Sequence, residues 1–233
     1  MTALLASVRN LDEAILALRG SADMIDLKNP EEGALGALPI STVKTIVDKI
    51  GKHTVTSATI GDLPPDPETI LRAVNQLQQA AVEIIKIGFF PGEHKKLASA
   101  LRKTNKTQKI VAVLFADLEP DLTLLETLAE NNFYGVMLDT AKKNNRGLLK
   151  SMEINQLKIF IKTARQLGLF CGLAGQLQLT DIPQLLTLKP DYLGFRSALC
   201  FADRSSQLSV DALNKIRKAL PTPNSQSILQ QAL

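Results

Sequence analysis

The stretch ADMIDLKNPEEGALGA, residues 22–37, decides how the rest of the chain is interpreted. An apolar segment there ends in Asp26, Lys28 and Asn29, and it runs directly into a loop rich in proline, glutamate and glycine. Because alternate side chains of a β-strand point to one face, Asp26 and Lys28 should lie together on the same face as Met24. Such a pair is often only a surface ion pair at a strand end. The other predicted strand ends therefore decide between a structural and a catalytic interpretation.

Short apolar runs alternate with longer segments of helical spacing along the chain. We predict eight strands, at residues 3–7, 23–28, 53–59, 83–87, 109–115, 135–139, 169–174 and 191–195. We predict eight helices, at residues 11–19, 41–50, 67–79, 93–103, 121–130, 154–167, 179–186 and 210–220. This count is that of an α/β fold of the (β/α)8 TIM-barrel type.

A doubly wound open sheet is the rival architecture. It usually carries a glycine-rich turn after the first strand, and residues 7–12 contain no glycine. We therefore predict a single domain, a TIM barrel over residues 1–220, with residues 221–233 as a C-terminal extension outside it.

The composition restricts the possible partners. Apolar residues make up 45% of the chain and aromatic residues only 4%, which argues against an aromatic platform for single-stranded nucleic acid. The net charge of +4 is modest, and the basic residues between positions 95 and 109 fit a solvated helix face better than a nucleic-acid patch. The pI near 9.0 is the one feature that favours nucleic-acid binding. We therefore expect no nucleic-acid partner.

Cysteine and histidine are scarce in this chain, with two of each. Two cysteines, Cys171 and Cys200, are too few for a disulfide framework. His53 and His94 have no histidine or cysteine near them in the sequence, so we expect no metal site. No segment approaches the roughly 20 apolar residues of a membrane span, and no signal-peptide pattern is present. We expect a cytoplasmic protein without a membrane partner.

Active sites of TIM barrels lie at the carboxyl ends of the strands, and seven of the eight predicted strands end in polar residues. Lys86 is the most informative, because EIIKIG places it inside an otherwise apolar strand. Lys28, Lys86, Asp139 and Arg196 belong to the four even-numbered strands, which contribute one layer of side chains in a barrel. Two lysines facing each other in a buried mouth would have lowered pKa values, which favours a nucleophilic amine. Asp26 and Asp139 oppose that shift, so one lysine can remain charged.

The loops after the last three predicted strands extend this candidate site. Asp139 is followed by Lys142 and Lys143, and either lysine could reach back over the mouth. The segments AGQL and GFRSALC follow strands seven and eight, where backbone amides and a short helix commonly bind phosphate. The predicted phosphate-binding residues are Gly175, Gln176, Arg196, Ser197 and Ala198.

The segments DLKNPEEGALGA, SATIGDLP, IKIG, MLDTAKK and GFRSALC together resemble the (5-formylfuran-3-yl)methyl phosphate synthase family of methanofuran biosynthesis. The resemblance runs from the first strand to the last helix. It implies a lyase that condenses two glyceraldehyde 3-phosphate molecules with loss of phosphate and water, through a lysine Schiff base and without a metal or other cofactor. It also implies Lys28 as the Schiff-base lysine and Lys86 as the proton acceptor. Asp26, Asp139 and Lys143 match other polar residues of the family's pocket, although the neighbouring Lys142 leaves the choice of lysine open.

Two positions depart from the family pattern. Ser197 replaces an expected glycine and Gln176 replaces a more usual serine, which affects the expected phosphate geometry more than the reaction. Two other functions stay open: a different class I aldolase acting on a phosphorylated aldehyde, and a non-catalytic barrel that binds a phosphate ligand. We expect a small-molecule substrate and a homo-oligomer, with a number of subunits that the sequence does not fix.

Overall fold

The computed structural model describes residues 1–92, 94–142 and 147–221. Eight parallel strands form a closed barrel in sequence order, with the last strand paired to the first, which confirms the predicted TIM barrel. Of the predicted C-terminal extension, only Pro221 lies within the described residues. The strands are β1 Ala3–Val8, β2 Met24–Leu27, β3 Val55–Thr59, β4 Ile84–Gly88, β5 Lys109–Phe115, β6 Gly135–Asp139, β7 Phe170–Leu173 and β8 Tyr192–Phe195.

The helices of the described residues surround this barrel. They are α1 Leu11–Arg19, α2 Ile40–Ile50, α3 Pro67–Gln79, α4 His94–Leu101, α5 Leu124–Glu130, α6 Leu148–Ser151, α7 Ile154–Gln166, α8 Ile182–Leu186 and α9 Val210–Ala219. In this part of the chain, no helix combines the length and the apolar character that a bilayer span requires.

The main apolar core lies between the strands and the helices. Helix α2 shows how the sequence produces it, because Val43, Ile46, Val47 and Ile50 recur at helical spacing and are all buried. Outward-facing strand residues such as Ile25 belong to the same core. This packing fixes the positions of the strands and hence of the side chains that they direct inward.

The inside of the barrel changes from apolar to polar toward the carboxyl ends of the strands. Because side chains alternate, the residue two positions later on a strand lies on the same face, one layer higher. On four strands this step replaces an apolar residue by a polar one: Leu5 by Ser7, Met24 by Asp26, Ile84 by Lys86 and Met137 by Asp139. The polar layer forms the floor of the barrel mouth.

Candidate active site

A cavity opens at the carboxyl ends of the strands. It brings together most of the site residues predicted from the sequence. Ala198 is not among the residues that line it, and Lys143 lies outside the described residues. The predicted residues in its lining are Asp26, Lys28, Lys86, Asp139, Gly175, Gln176, Arg196 and Ser197.

Lys86 and Asp26 form an ion pair at the bottom of this cavity. Lys86 Nζ lies 2.6 Å from Asp26 Oδ1, and the two side chains are only 3% and 1% exposed. The carboxylate also accepts hydrogen bonds from Ser57 Oγ at 2.7 Å and from Ser7 Oγ at 3.0 Å. The strand register explains this arrangement, since Asp26 pairs directly with Ser7 on β1 and with Ser57 on β3. Asp26 is therefore held in one orientation and directs Lys86.

Burial lowers the pKa of Lys86 below its ordinary value. The positive charge of Lys28 also lowers this pKa, whereas the carboxylates of Asp26 and Asp139 raise it. Desolvation outweighs the attraction of the two carboxylates because Lys86 has almost no contact with water. A lowered pKa increases the fraction of neutral amine, and only a neutral amine can accept a proton.

Lys28 lies nearer to solvent than Lys86. Its Nζ is 3.4 Å from Asp139 Oδ2, and the two side chains are 12% and 10% exposed. The other carboxylate oxygen, Oδ1, accepts a hydrogen bond from the backbone amide of Thr140 at 2.7 Å. A lysine placed in this way can be reached by an incoming aldehyde while its carboxylate partner stays fixed.

The loop that follows Lys28 is built around Asp62. The Asp62 carboxylate accepts hydrogen bonds from the backbone amides of Ala34 at 2.6 Å and Leu35 at 2.8 Å. Gly33 has φ +70°, and a methyl group there would come within 2.0 Å of Asp62 Oδ2. Gly33 is therefore needed for the loop to close against β3.

Asp117 fixes the loop after β6 in a similar way. Its carboxylate accepts hydrogen bonds from the backbone amides of Ala141 at 2.8 Å and Lys142 at 2.7 Å. This is the loop in which the sequence predicts a third amine.

Among the described residues, no three histidine, cysteine or carboxylate side chains are grouped so that they could hold a metal ion.

Arg196 directs its guanidinium group at acceptors of the protein itself. Its two terminal nitrogens bind the Glu13 carboxylate, at 2.5 Å for Nη1 and 3.2 Å for Nη2. The same group donates to the carbonyl oxygens of Ser7, Arg204 and Ser206 at 3.2, 2.7 and 3.0 Å. A phosphate contact by Arg196 therefore remains a prediction. The buried Glu13 was missed by sequence analysis, although its position one turn before Ala17 on the apolar face of α1 is a usable signal.

The turns predicted to bind phosphate follow β7 and β8 directly. Gly175 has φ +104° and Gln176 has φ +51°, and a methyl group on Gly175 would come within 2.9 Å of Thr140 Cγ2. After β8, a single 3₁₀ turn covers Ser197–Leu199. Both turns border the cavity that contains the two lysines.

The family model of the 4-HFC-P synthases matches residues 4–217, which is nearly the whole barrel. The chain belongs to this family. Its relatives include a protein of Methylorubrum extorquens, provisionally named as a (5-formylfuran-3-yl)methyl phosphate synthase, which is 43% identical over 204 residues, or 88% of this chain and 85% of the relative. The (5-formylfuran-3-yl)methyl phosphate synthase of Archaeoglobus fulgidus is 35% identical over 233 residues, covering 93% of this chain and 98% of that protein. The resemblance found in the sequence is thereby confirmed.

Solved structures share the fold of this 4-HFC-P synthase family member. The crystal structure of phosphoribosyl anthranilate isomerase from Thermus thermophilus matches it with a TM-score of 0.68, over 94% of this chain and 98% of that chain. The sequence identity is 16%, so this match shows a common barrel and gives no information on the chemistry of the site.

Proposed function

We propose that this member of the 4-HFC-P synthase family condenses two molecules of glyceraldehyde 3-phosphate into (5-formylfuran-3-yl)methyl phosphate. This reaction would provide the furan unit of methanofuran, and it would release one phosphate and two molecules of water. Membership of the family supports the proposal. The structural observation that carries it is the pair of lysines in one cavity, each beside its own carboxylate.

Lys28 is the proposed Schiff-base residue. It is the more accessible of the two lysines, so its amine can reach and attack the aldehyde carbon of the first triose phosphate. The resulting carbinolamine loses water and leaves a protonated imine. The positive charge of that imine forms beside Asp139, at the place where the carboxylate already pairs with the amine.

Lys86 is the proposed proton acceptor. Its lowered pKa favours the neutral amine, which removes a proton from the carbon next to the imine and gives an enamine. Elimination of phosphate follows from the same intermediate. Asp26 does not need to react in this scheme, because its three hydrogen-bonding partners fix it as the group that orients Lys86.

The three-carbon unit that remains on Lys28 after loss of phosphate then forms a carbon–carbon bond with the second triose phosphate. Its phosphate would be held by the turns after β7 and β8, with Gly175, Gln176, Ser197 and Ala198 as the proposed residues. Lys143, which lies outside the described residues, is a further proposed residue of the pocket. Ring closure with loss of two water molecules gives the aromatic furan, and hydrolysis of the imine then consumes one water molecule and releases the aldehyde and free Lys28, so that two water molecules are lost overall.

Product analysis tests the proposal directly. Purified protein incubated with glyceraldehyde 3-phosphate should form a compound that absorbs in the near ultraviolet, has the mass of the furan aldehyde phosphate and appears with one equivalent of free phosphate. Lys28→Ala should abolish the product, whereas the matched change Lys44→Ala, at an exposed lysine of α2, should not. A different class I aldolase would give a condensation product without the furan absorbance, and a non-catalytic barrel would leave the substrate unchanged. Either result would contradict the proposal.

A further inference from the structure

Arg204 lies in the loop between β8 and α9, and its half-buried side chain lines the cavity. Its Nη2 donates a hydrogen bond to the carbonyl oxygen of Gly33 at 3.0 Å, so the side chain reaches from this loop to the loop after β2. Burial lowers the pKa of Arg204, and the negative charge of Asp139 opposes that change. The guanidinium group is thus within electrostatic range of the carboxylate that pairs with Lys28.

The other positive side chains of the cavity each have a carboxylate partner. These pairs are Lys86 with Asp26, Lys28 with Asp139, and Arg196 with Glu13. Within residues 1–92, 94–142 and 147–221, no carboxylate oxygen lies within 4.0 Å of the guanidinium nitrogens of Arg204. An arginine stays protonated at any physiological pH, so this part of the mouth carries a positive charge that an anionic ligand can neutralise.

The backbone that carries Arg204 is held in place by several contacts. Arg196 donates to the carbonyl oxygens of Arg204 and Ser206, and Arg9 Nη1 donates to the carbonyl oxygen of Ser205 at 2.6 Å. Asp203 Oδ1 accepts from the backbone amides of Ser205 and Ser206 at 2.9 and 3.0 Å. A loop fixed in this way presents the Arg204 side chain in a defined position, so that little ordering is needed when a ligand binds.

We propose that Arg204 binds the phosphate group of a triose phosphate in the mouth of the barrel. The inference rests on the proposed function, which supplies the phosphate monoester. A guanidinium group offers donors in a planar fork that matches phosphate oxygens, and Arg204 uses one of its donors on Gly33. Arg196 acts in this arrangement as a positioning residue, because it holds the Arg204 backbone and is itself paired with Glu13.

The test compares Arg204→Gln and Arg204→Lys with Arg72→Gln, a matched change at an exposed arginine of α3. Binding of glycerol 3-phosphate, which has no aldehyde to react, is measured by calorimetry, and KM and kcat are measured with glyceraldehyde 3-phosphate. Loss of a charge-assisted contact should weaken glycerol 3-phosphate binding and raise KM by about tenfold to a hundredfold in Arg204→Gln, with a smaller change in kcat. Arg204→Lys should recover part of the binding, and Arg72→Gln should behave as the wild type.

Several results would overturn the role of Arg204. These are failure of the wild type to bind glycerol 3-phosphate, unchanged binding and KM in Arg204→Gln, or a loss of thermal stability in Arg204→Gln that accounts for the change. Glycerol without phosphate should bind equally weakly to wild type and variant. The binding arm does not depend on catalysis, so a wild type that binds glycerol 3-phosphate through Arg204 and yet forms no furan would refute only the proposed function.

Discussion

Lys86→Met tests the buried ion pair at the bottom of the cavity. The variant leaves the Asp26 carboxylate 1% exposed, with hydrogen bonds from Ser7 and Ser57 but without a cation. Removing one partner of a buried pair costs about 3–5 kcal/mol. In a domain of this size, each kcal/mol lowers Tm by about 2–4 °C, so the expected loss is about 6–20 °C. The proton acceptor is also lost, and kcat should fall by about 10²–10⁴-fold.

The double variant Asp26→Asn with Lys86→Met separates this effect from a loss of packing. Burial of Lys86 outweighs the attraction of Asp26, so removing both charges should restore the free energy of unfolding to within about 1 kcal/mol of wild type, or raise it above wild type. Thermal and urea unfolding measure the four proteins of this cycle, with Lys44→Met as an exposed control expected to change stability by less than about 0.5 kcal/mol. An unchanged Tm in Lys86→Met, or a double variant as unstable as the sum of the single changes, would refute the reasoning.

The remaining predictions concern pH and the two supporting contacts. Lys86 must be neutral to accept a proton, so kcat should rise as the pH increases through the lowered pKa of Lys86. The Asp26 carboxylate raises the pKa of Lys86, and Asp26→Asn removes this effect. The acid limb of the pH–rate profile should therefore move to lower pH in Asp26→Asn. An unmoved limb would exclude Lys86 as the titrating base. Arg196→Gln leaves the buried Glu13 carboxylate with Arg9 alone, whose Nε lies 3.5 Å from Glu13 Oε1. It should lower the free energy of unfolding by about 1–3 kcal/mol in urea titrations, and a fully stable variant would contradict the structural role of Arg196. Asp117→Ala leaves two backbone amides of the loop after β6 without an acceptor. Each amide that is shielded from water should lower the free energy of unfolding by about 1–3 kcal/mol. Amide hydrogen exchange in that loop should become faster, and unchanged exchange would contradict the role of Asp117.

The architecture could be predicted because each layer of the barrel follows from a local period. Strand β6 begins and ends at the predicted residues, and so does helix α3, whose proline at the first turn and Asp66 cap mark its start. Helix α6 was not predicted, since its four residues are too few for a periodic pattern. Alternation within β4 also identified Lys86 as an inward-facing residue, and the structure places it there.

The contacts across the barrel could not be predicted in the same way. Periodicity shows which face a residue occupies, but it does not show which distant charge that residue meets. Arg196 and Glu13 are 183 positions apart, so their pairing depends on the closure of β8 onto β1. The exposure of Arg204 to the cavity depends in turn on the conformation of a loop that has no regular pattern. For these reasons the sequence identified both lysines of the cavity but not Arg204 or the partner of Arg196.

Chemical trapping of the imine tests the central claim most directly. The protein is incubated with glyceraldehyde 3-phosphate, reduced with borohydride, digested and analysed by mass spectrometry. If Lys28 captures the aldehyde, the added mass should appear on the peptide that contains Lys28, only when substrate is present, and should be absent in Lys28→Ala. Substrate-dependent label on Lys86 with none on Lys28, or no label under conditions in which the furan forms, would contradict the account.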